Sequence, residues 1–253
     1  MKLRIKFAKY GTMKFLGHLD VMRYFQKAIR RAGIDIRYSE GFSPHQTMSF
    51  AAPLGVGLES LGEYMDIEVY SIPEQDGLKA VLNALQQTMV PGFDIISVTI
   101  LPDTSKNAMA SVAAASYLLY DKEGAFPIDD LDKKLSDFHA KEHIFVTKET
   151  KKNTLTLDLK PGIYELYLVE AAPKYTGFDK TVPAVSMLVD ASSGGNIKPA
   201  VLWDAFCQEY GISLPPYSCQ ILRLETFTDT AKEGENRHLL PLSQMGSDCY
   251  AAS

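Results

Sequence analysis

The chain has 253 residues, of which 46% are hydrophobic and 23% charged, and its net charge at pH 7 is −5. This length suits two globular domains. No run of eighteen apolar residues is present, which excludes a transmembrane helix, and the start MKLRIKFAKY lacks the apolar core of a signal peptide, so we expect a cytoplasmic protein. Cys207, Cys219 and Cys249 are widely spaced, which excludes CxxC and iron–sulfur spacings.

Positive charge is concentrated at the start of the chain. Residues 1–50 hold ten Lys and Arg side chains against three acidic ones, a balance of +7, so the remaining residues carry −12. A basic segment in an acidic protein favours an anionic partner or substrate at that segment. The alternative is a basic surface that contacts only solvent.

The first hundred residues alternate between strand and helix patterns. Leu3, Ile5 and Phe7 fall on one side of a strand over residues 2–9, and a helix over residues 18–32 has an apolar stripe. Further strands are predicted over residues 34–39, 48–52, 63–70 and 93–101, with a second helix that opens at Pro73. This β-α-β-β-α-β order predicts a ferredoxin-like domain (split βαβ) over residues 1–103, with one sheet face free for a ligand or a second domain.

Residues 102–108 have the composition of a linker, and the same order recurs after them. Strands are predicted over residues 111–120, 143–149, 154–159, 163–170, 182–190 and 219–227, with a hairpin turn at 151–153 and helices over 127–140 and 199–210. This pattern predicts a second, elaborated ferredoxin-like domain over residues 109–228. The fold class is therefore α+β, with two ferredoxin-like domains in tandem and a loosely ordered polar tail over residues 229–253.

Residues 38–57, YSEGFSPHQTMSFAAPLGVG, form the most tightly specified stretch of the chain. Gly41 permits backbone angles that other residues resist, and Pro44 fixes its own φ and extends Ser43. The stretch is a loop between ordered elements that carries His45, and polar groups on such loops often serve function. The alternative is an ordinary hairpin with a surface histidine.

Two histidines in this region are candidates for catalysis. His18 at the start of the first helix and His45 in the GFSPH loop, with Tyr38 or Lys14 nearby, have the chemistry of a general acid and base for phosphodiester cleavage. The helix start at His18 also favours an anion such as phosphate. The alternatives are a helix-capping or core role for His18 and a loop-bracing hydrogen bond for His45. The spacing matches no standard zinc pattern, so we expect no metal site.

Basic and aromatic residues also interleave in this region, as they do where proteins bind single-stranded RNA. The predicted nucleic-acid-binding residues are Lys14, Arg23, Lys27, Arg30, Arg31, Arg37 and Phe42. The alternative is that most of the aromatic residues belong to the core.

The segments FLGHLDVMRYFQKAIRRAGI, YSEGFSPHQTMSFAAPLGVG and EYMDIEV, in that order, resemble the radical-SAM-linked protein family. Members of this family are free-standing or joined to radical S-adenosylmethionine (SAM) proteins, and their function is unknown. The resemblance implies a radical SAM protein as partner. The chain itself lacks CxxxCxxC, so we expect no cofactor of its own.

The paired-domain architecture is also similar to that of the CRISPR-associated RAMP endoribonucleases, which cut RNA without metal. The leading hypothesis is an accessory RNA-binding module, for a tRNA-like ligand, that works with a radical SAM partner. One alternative is a metal-independent, RAMP-like endoribonuclease or other RNA-processing enzyme that uses His18 and His45. Another is a small-molecule binding module with a pocket under the GFSPH loop.

Overall fold

The computed structural model of the chain describes residues 1–149, 154–232 and 234–252, and its structure is mixed α/β. The strands are β1 (Lys2–Lys9), β2 (Met48–Phe50), β3 (Glu59–Glu68), β4 (Phe93–Leu101), β5 (Ala114–Asp121), β6 (Phe145–Glu149), β7 (Thr154–Asp158), β8 (Ile163–Ala171), β9 (Val182–Asp190), β10 (Cys219–Asp229), β11 (Leu239–Pro241) and β12 (Asp248–Ala251). The α-helices are α1 (His18–Arg31), α2 (Gly77–Gln86), α3 (Ala108–Ser111), α4 (Leu131–His139), α5 (Pro173–Thr176) and α6 (Pro199–Glu209). Within these three ranges, no helix has both the length and the apolar character needed to cross a membrane.

The chain folds as two compact units. Unit 1 combines Met1–Ala113 with Glu225–Ser253, and unit 2 is formed by Ala114–Leu224. The domains predicted from the sequence span residues 1–103 and 109–228. The difference is that the last segment of the chain belongs to unit 1, so unit 2 is an insertion within the sequence of unit 1.

The sheet of unit 1 has β1 at its centre. β1 pairs antiparallel with β3 on one side and with β4 on the other, and β2 pairs antiparallel with β3. The resulting order is β4-β1-β3-β2, with β12 outside β4. α1 connects β1 to β2, and α2 connects β3 to β4.

The core of unit 1 lies between this sheet and its helices. α1 buries a stripe of residues at helical spacing, Val21, Phe25, Ala28 and Ile29. Within this core, the ring of Phe25 lies 4.6 Å from that of Phe7 on β1, centroid to centroid. α1 ends where Gly33 adopts a φ of +67°, a conformation that favours glycine. Most of the exposed residues of α1 are polar, with Leu19 as an exposed apolar residue in its first turn.

The strand predicted over residues 34–39 is not formed. Only isolated bridges join this segment to its neighbours, between Ile36 and Val69 and between Tyr38 and Gln46. The amide of Ile36 donates to the Ile34 carbonyl two residues earlier, at 2.8 Å, which turns the backbone away from a regular ladder. The segment instead leads into the GFSPH loop.

The segment after β10 differs from the loosely ordered tail that was expected. β11 pairs with β10 and β12 pairs with β4, and Leu242 between them is fully buried. The guanidinium of Arg4 donates to the Leu242 carbonyl at 3.3 Å, and the Thr99 hydroxyl donates to the Ser243 carbonyl at 3.2 Å. The sheet face that was expected to be free is therefore covered by the C-terminal part of the chain.

Beneath this segment lies a network of buried polar side chains. Arg4 and Asp66 form a bidentate ion pair with N–O distances of 2.8 and 2.9 Å. The Tyr64 hydroxyl donates to Glu225 at 2.6 Å, and Lys6 donates to the same carboxylate at 2.5 Å. Burial and the adjacent Glu225 charge raise the pKa of Tyr64. Such groups are stable in an interior only when they are paired.

In unit 2, the sheet has the order β10-β5-β9-β8, and β9 pairs antiparallel with both β5 and β8. α4 and α6 supply the aromatic side chains of the core, where the rings of Phe138 and Phe206 meet edge to face at 5.5 Å. β6 and β7 form a separate two-stranded hairpin between α4 and β8. The predicted turn at 151–153 lies outside the described residues.

Candidate nucleic-acid interface

The exposed face of α1 carries four basic side chains, Arg23, Lys27, Arg30 and Arg31. Arg23 lies 3.7 Å from Asp20 in an exposed pair, and Arg31 donates to the Thr88 carbonyl at 3.2 Å. The side chains of Lys27 and Arg30 form no hydrogen bond or ion pair with any residue that the structure describes. These two charges are available to an anionic ligand. We call the four residues the α1 basic face.

Most other basic residues near the start of the chain are held by carboxylates. The ion pairs are Arg4 with Asp66, Lys6 with Glu225, Lys14 with Glu59 and Arg37 with Glu68. Two of these residues, Lys14 and Arg37, were predicted to bind nucleic acid. Because a carboxylate already neutralises each of them, the α1 basic face is the stronger candidate for phosphate contacts.

The GFSPH loop is closed at its base by Ser39 and His45. The Ser39 amide donates to the His45 carbonyl at 2.8 Å, and the His45 amide donates to the Ser39 hydroxyl at 3.1 Å. The same hydroxyl lies 2.8 Å from Nδ1 of the His45 ring. Gly41 in the tip has a φ of +109°, where a side chain would be strained. Phe42 beside it is completely exposed.

This loop is tied to the middle of α1. Gln46, which follows the loop, is buried, and its side-chain amide donates to the Gln26 carbonyl of α1 at 3.2 Å. Gln26 precedes Lys27 in the sequence. One helix segment therefore anchors the loop with the exposed Phe42 and carries the unpaired positive charges.

His18 occupies a different environment from His45. Its ring packs edge to face on Phe50, with the centroids 5.2 Å apart, and it borders a cavity of about 10 Å³. The residues around this cavity are Lys9, His18, Val21, Phe50, Pro53, Leu54 and Glu63. His45 is not among them, and Tyr38 pairs with Gln46 at the base of the loop. The structure does not bring the three predicted catalytic residues to a common cavity.

Lys9 and Glu63 are further candidates for a functional role, and the sequence alone did not indicate that they lie at the same cavity. Both are buried, with 2% and 3% of their surface exposed, and both border the cavity beside His18. The sequence contained a signal for both residues. Lys9 is two residues from Phe7 on β1, and Glu63 is two residues from Met65 on β3, so each falls on the apolar face of its strand. Charged residues that fall on an apolar face are candidates for a site.

Three large apolar side chains are exposed around the start of α1. Phe15, Leu19 and Val56 expose 63%, 59% and 59% of their surface. The Gly57 amide donates to the Lys14 carbonyl at 2.8 Å, which places the loop with Val56 next to Phe15. Exposed apolar residues that cluster in this way mark surfaces for protein partners.

No group of three or more His, Cys, Asp or Glu side chains with the geometry of a metal site occurs in the described part of the chain. No protein of curated function matches the sequence. A family model matches residues 2–199, and its description is an uncharacterized protein conserved in bacteria (DUF2344). This match includes both histidine motifs, the α1 basic face and most of unit 2. The chain belongs to this uncharacterized bacterial family.

Proposed function

We propose that the protein is an accessory RNA-binding module, for a tRNA-like ligand, that works with a radical SAM protein. The observation that carries this proposal is the α1 basic face. Lys27 and Arg30 lie on the exposed side of one helix, without a carboxylate partner among the residues described. Uncompensated positive charge on a structured surface is what binding to a phosphate backbone requires.

The exposed Phe42 side chain favours RNA over other polyanions as the ligand. An exposed phenyl ring gains nothing from folding, but it offers a face on which an unpaired base can stack. The Ser39–His45 contacts close the base of the loop, which reduces the conformational freedom that the loop would lose on binding. Phosphate contacts from α1 and stacking from Phe42 together favour a ligand with both a helical backbone and unpaired bases, as tRNA has.

The proposal of a radical SAM protein as partner rests on two observations. The sequence motifs resemble the radical-SAM-linked family, and three apolar side chains near the start of α1, Phe15, Leu19 and Val56, are exposed. This group is small for a complete interface, so it would form the apolar centre of a larger one. In this proposal the partner carries out the radical chemistry and this chain holds the RNA.

The topology of each unit supports two ferredoxin-like folds. In unit 1 the strands that alternate with α1 and α2 have the order 4-1-3-2 and are antiparallel. In unit 2, counting β5, β8, β9 and β10 as first to fourth, the order is again 4-1-3-2, and the β6–β7 hairpin is an insertion. This is the strand order of the split βαβ motif. We therefore propose two ferredoxin-like units, the second of them elaborated.

One observation favours cleavage of RNA as a second candidate function. His18 is exposed beside buried Lys9 and Glu63, which gives an imidazole, an ammonium and a carboxylate around one small cavity. These groups can serve as acid, base and charge stabiliser in metal-independent phosphodiester cleavage. His45 would not take part, because its contacts lie within its own loop.

Binding of the full chain to a tRNA transcript, measured between 50 and 200 mM salt, tests the leading proposal. The Lys27→Glu/Arg30→Glu variant should bind at least tenfold more weakly and should lower the slope of log K against log salt by about 1–2. Lys79→Glu on α2, an exposed lysine of the same unit, is the matched control and should bind as the wild type does. Absence of salt-dependent RNA binding by the wild-type chain would overturn the proposal.

The same preparation, incubated with RNA and a chelator, distinguishes the two functions. The accessory role predicts intact RNA and co-purification of a radical SAM protein. Cleavage that is lost in His18→Ala but kept in His45→Ala would instead support the second candidate.

A further inference from the structure

A cavity of unit 2 lies along one side of α6. It has a volume of about 610 Å³ and is bordered by α6, by residues 212–218 and by the start of β10. The residues that line it include Trp203 and Cys207 of α6, Cys219 of β10, and Pro215, Pro216 and Tyr217 of the loop between α6 and β10. This volume is in the range of sites for small molecules, and the mixture of apolar, aromatic and a few polar residues is typical of them.

Tyr217 at the edge of this cavity has a costly backbone conformation. The Ser218 amide donates to the Pro215 carbonyl at 3.1 Å, so Tyr217 occupies the third position of a tight turn, with a φ of +62°. Glycine or asparagine is usual at a position with positive φ, because a larger side chain is strained there. Lys122 fixes the turn by donating its ammonium to the Tyr217 carbonyl at 2.7 Å.

The Tyr217 ring gains no burial in return for this strain, since 90% of the residue surface is exposed. Strained residues whose side chains do nothing for folding are concentrated at binding sites. The phenol is therefore a candidate ligand contact. Trp203, which borders the cavity from α6, stacks on Phe206 with the ring centroids 5.0 Å apart.

The charge of the cavity selects the type of ligand. Asp204 is the only residue with a formal charge among those that border it. Burial raises the pKa of the Cys207 thiol to about 11, and burial also raises the pKa of Cys219, so both thiols are uncharged at neutral pH. Lys122, whose ammonium donates to the Tyr217 carbonyl at 2.7 Å, is a basic group next to this turn, but it does not border the cavity. An anionic ligand inside the cavity would therefore still meet the Asp204 carboxylate. A cation would be attracted by Asp204 and by the aromatic ring face of Tyr217.

We propose that this cavity of unit 2 binds a small organic cation with an apolar body, such as a substituted ammonium compound. Its charge would lie near Asp204 and the Tyr217 ring, and its apolar part would contact Pro216 and the α6 side of the cavity. The proposal is independent of RNA binding by unit 1, because every residue that it uses lies within Ala114–Leu224.

Trp203 is the only tryptophan of the chain, so tryptophan fluorescence of the full-length protein reports directly on this cavity. The test compares three probes with the same ring: benzyltrimethylammonium, the neutral benzyl alcohol and the anionic phenylacetate. Saturable binding of the cation, at least tenfold tighter than that of benzyl alcohol and with no binding of phenylacetate, is the expected result. Equal binding of the cation and the anion, or no binding of the cation, would overturn the proposal.

Two variants test the assigned residues. Tyr217→Gly relieves the backbone strain, so it should raise the melting temperature while weakening cation binding at least fivefold. Asp204→Asn should weaken cation binding but leave benzyl alcohol unaffected. Asp179→Asn removes an exposed carboxylate of the same unit that does not border the cavity and is the matched control. Tyr217→Gly protein that is more stable and still binds the cation with wild-type affinity would contradict the role of the ring.

Discussion

The hydroxyl of Ser39 lies 2.8 Å from Nδ1 of His45 and accepts a hydrogen bond from the backbone amide of the same histidine at 3.1 Å. One small side chain thus contacts His45 twice and closes the loop that presents Phe42. This geometry gives His45 a structural task, the bracing hydrogen bond, and this task does not require proton transfer to a substrate. It also explains how an exposed loop can hold a defined shape without a buried core.

Replacing Ser39 by alanine should loosen this loop. The two contacts are exposed, so the loss in global stability should be no more than about 1 kcal/mol, the usual range for a hydrogen bond. Amide hydrogen exchange over residues 40–45 should accelerate, while exchange in β1 and β4 should stay unchanged. Unchanged exchange in the loop would show that Gly41 and Pro44 define its shape without the brace.

Phe42→Ala should weaken binding to single-stranded RNA by about 1–3 kcal/mol, the contribution of stacking on one base. Because Phe42 is completely exposed, the melting temperature should not fall. Tyr70→Ala, which removes another exposed aromatic side chain of unit 1, serves as the control and should not alter affinity. Equal losses of affinity in both variants would argue against a specific role for the loop.

Asp66→Ala should be severely destabilising. It leaves the buried guanidinium of Arg4 without its bidentate partner, a change that typically costs about 3–5 kcal/mol. Urea unfolding of the full chain measures the loss. The double variant Arg4→Met/Asp66→Leu removes both charges and should recover much of the stability. If the double variant is no more stable than Asp66→Ala, the loss arises from packing and not from the unpaired charge.

Asp158 should titrate below its ordinary range. The hydrogen bond from His143, at 2.8 Å, lowers the pKa of Asp158, and the backbone amides of Ile144 and Lys160 lower it further. A lowered pKa in the folded state means that the stabilisation is present above the unfolded pKa of about 4 and is lost as the pH falls through the folded value. Carboxyl NMR titration measures this pKa, which should rise in His143→Ala and stay unchanged in His139→Ala.

Local patterns in the sequence were sufficient for most of the secondary structure. The predicted strands over residues 93–101 and 182–190 match β4 and β9 residue for residue, because alternation and turn residues define both ends. The start of α1 at His18 was also predicted. The strand over residues 34–39 was predicted wrongly, since a short apolar pattern does not show that the segment pairs with its neighbours only through the single bridges Ile36–Val69 and Tyr38–Gln46.

The candidate site was less accessible to sequence reasoning. Lys6 and Glu225 form an ion pair although 219 residues separate them, so no local pattern could show that this basic residue is neutralised. The C-terminal segment is likewise held in place by residues that are distant in the sequence, as in the hydrogen bond from Arg4 to the Leu242 carbonyl. The α1 basic face could be predicted because a single helix displays it at regular spacing. Tyr217 gave no sequence signal, since its unusual feature is a backbone angle.

The insertion of unit 2 has a consequence for how the protein is made. The Ala113 amide donates to the Phe227 carbonyl at 2.8 Å, so the two points where the chain leaves and rejoins unit 1 are adjacent. On the ribosome, β1 to β4 emerge long before β10 and β12 are synthesised. Until those strands are synthesised, the outer edge of β4 and the side chains of Arg4 and Tyr64 are uncovered in the nascent chain. An uncovered strand edge can bind chaperones or pair wrongly with another chain.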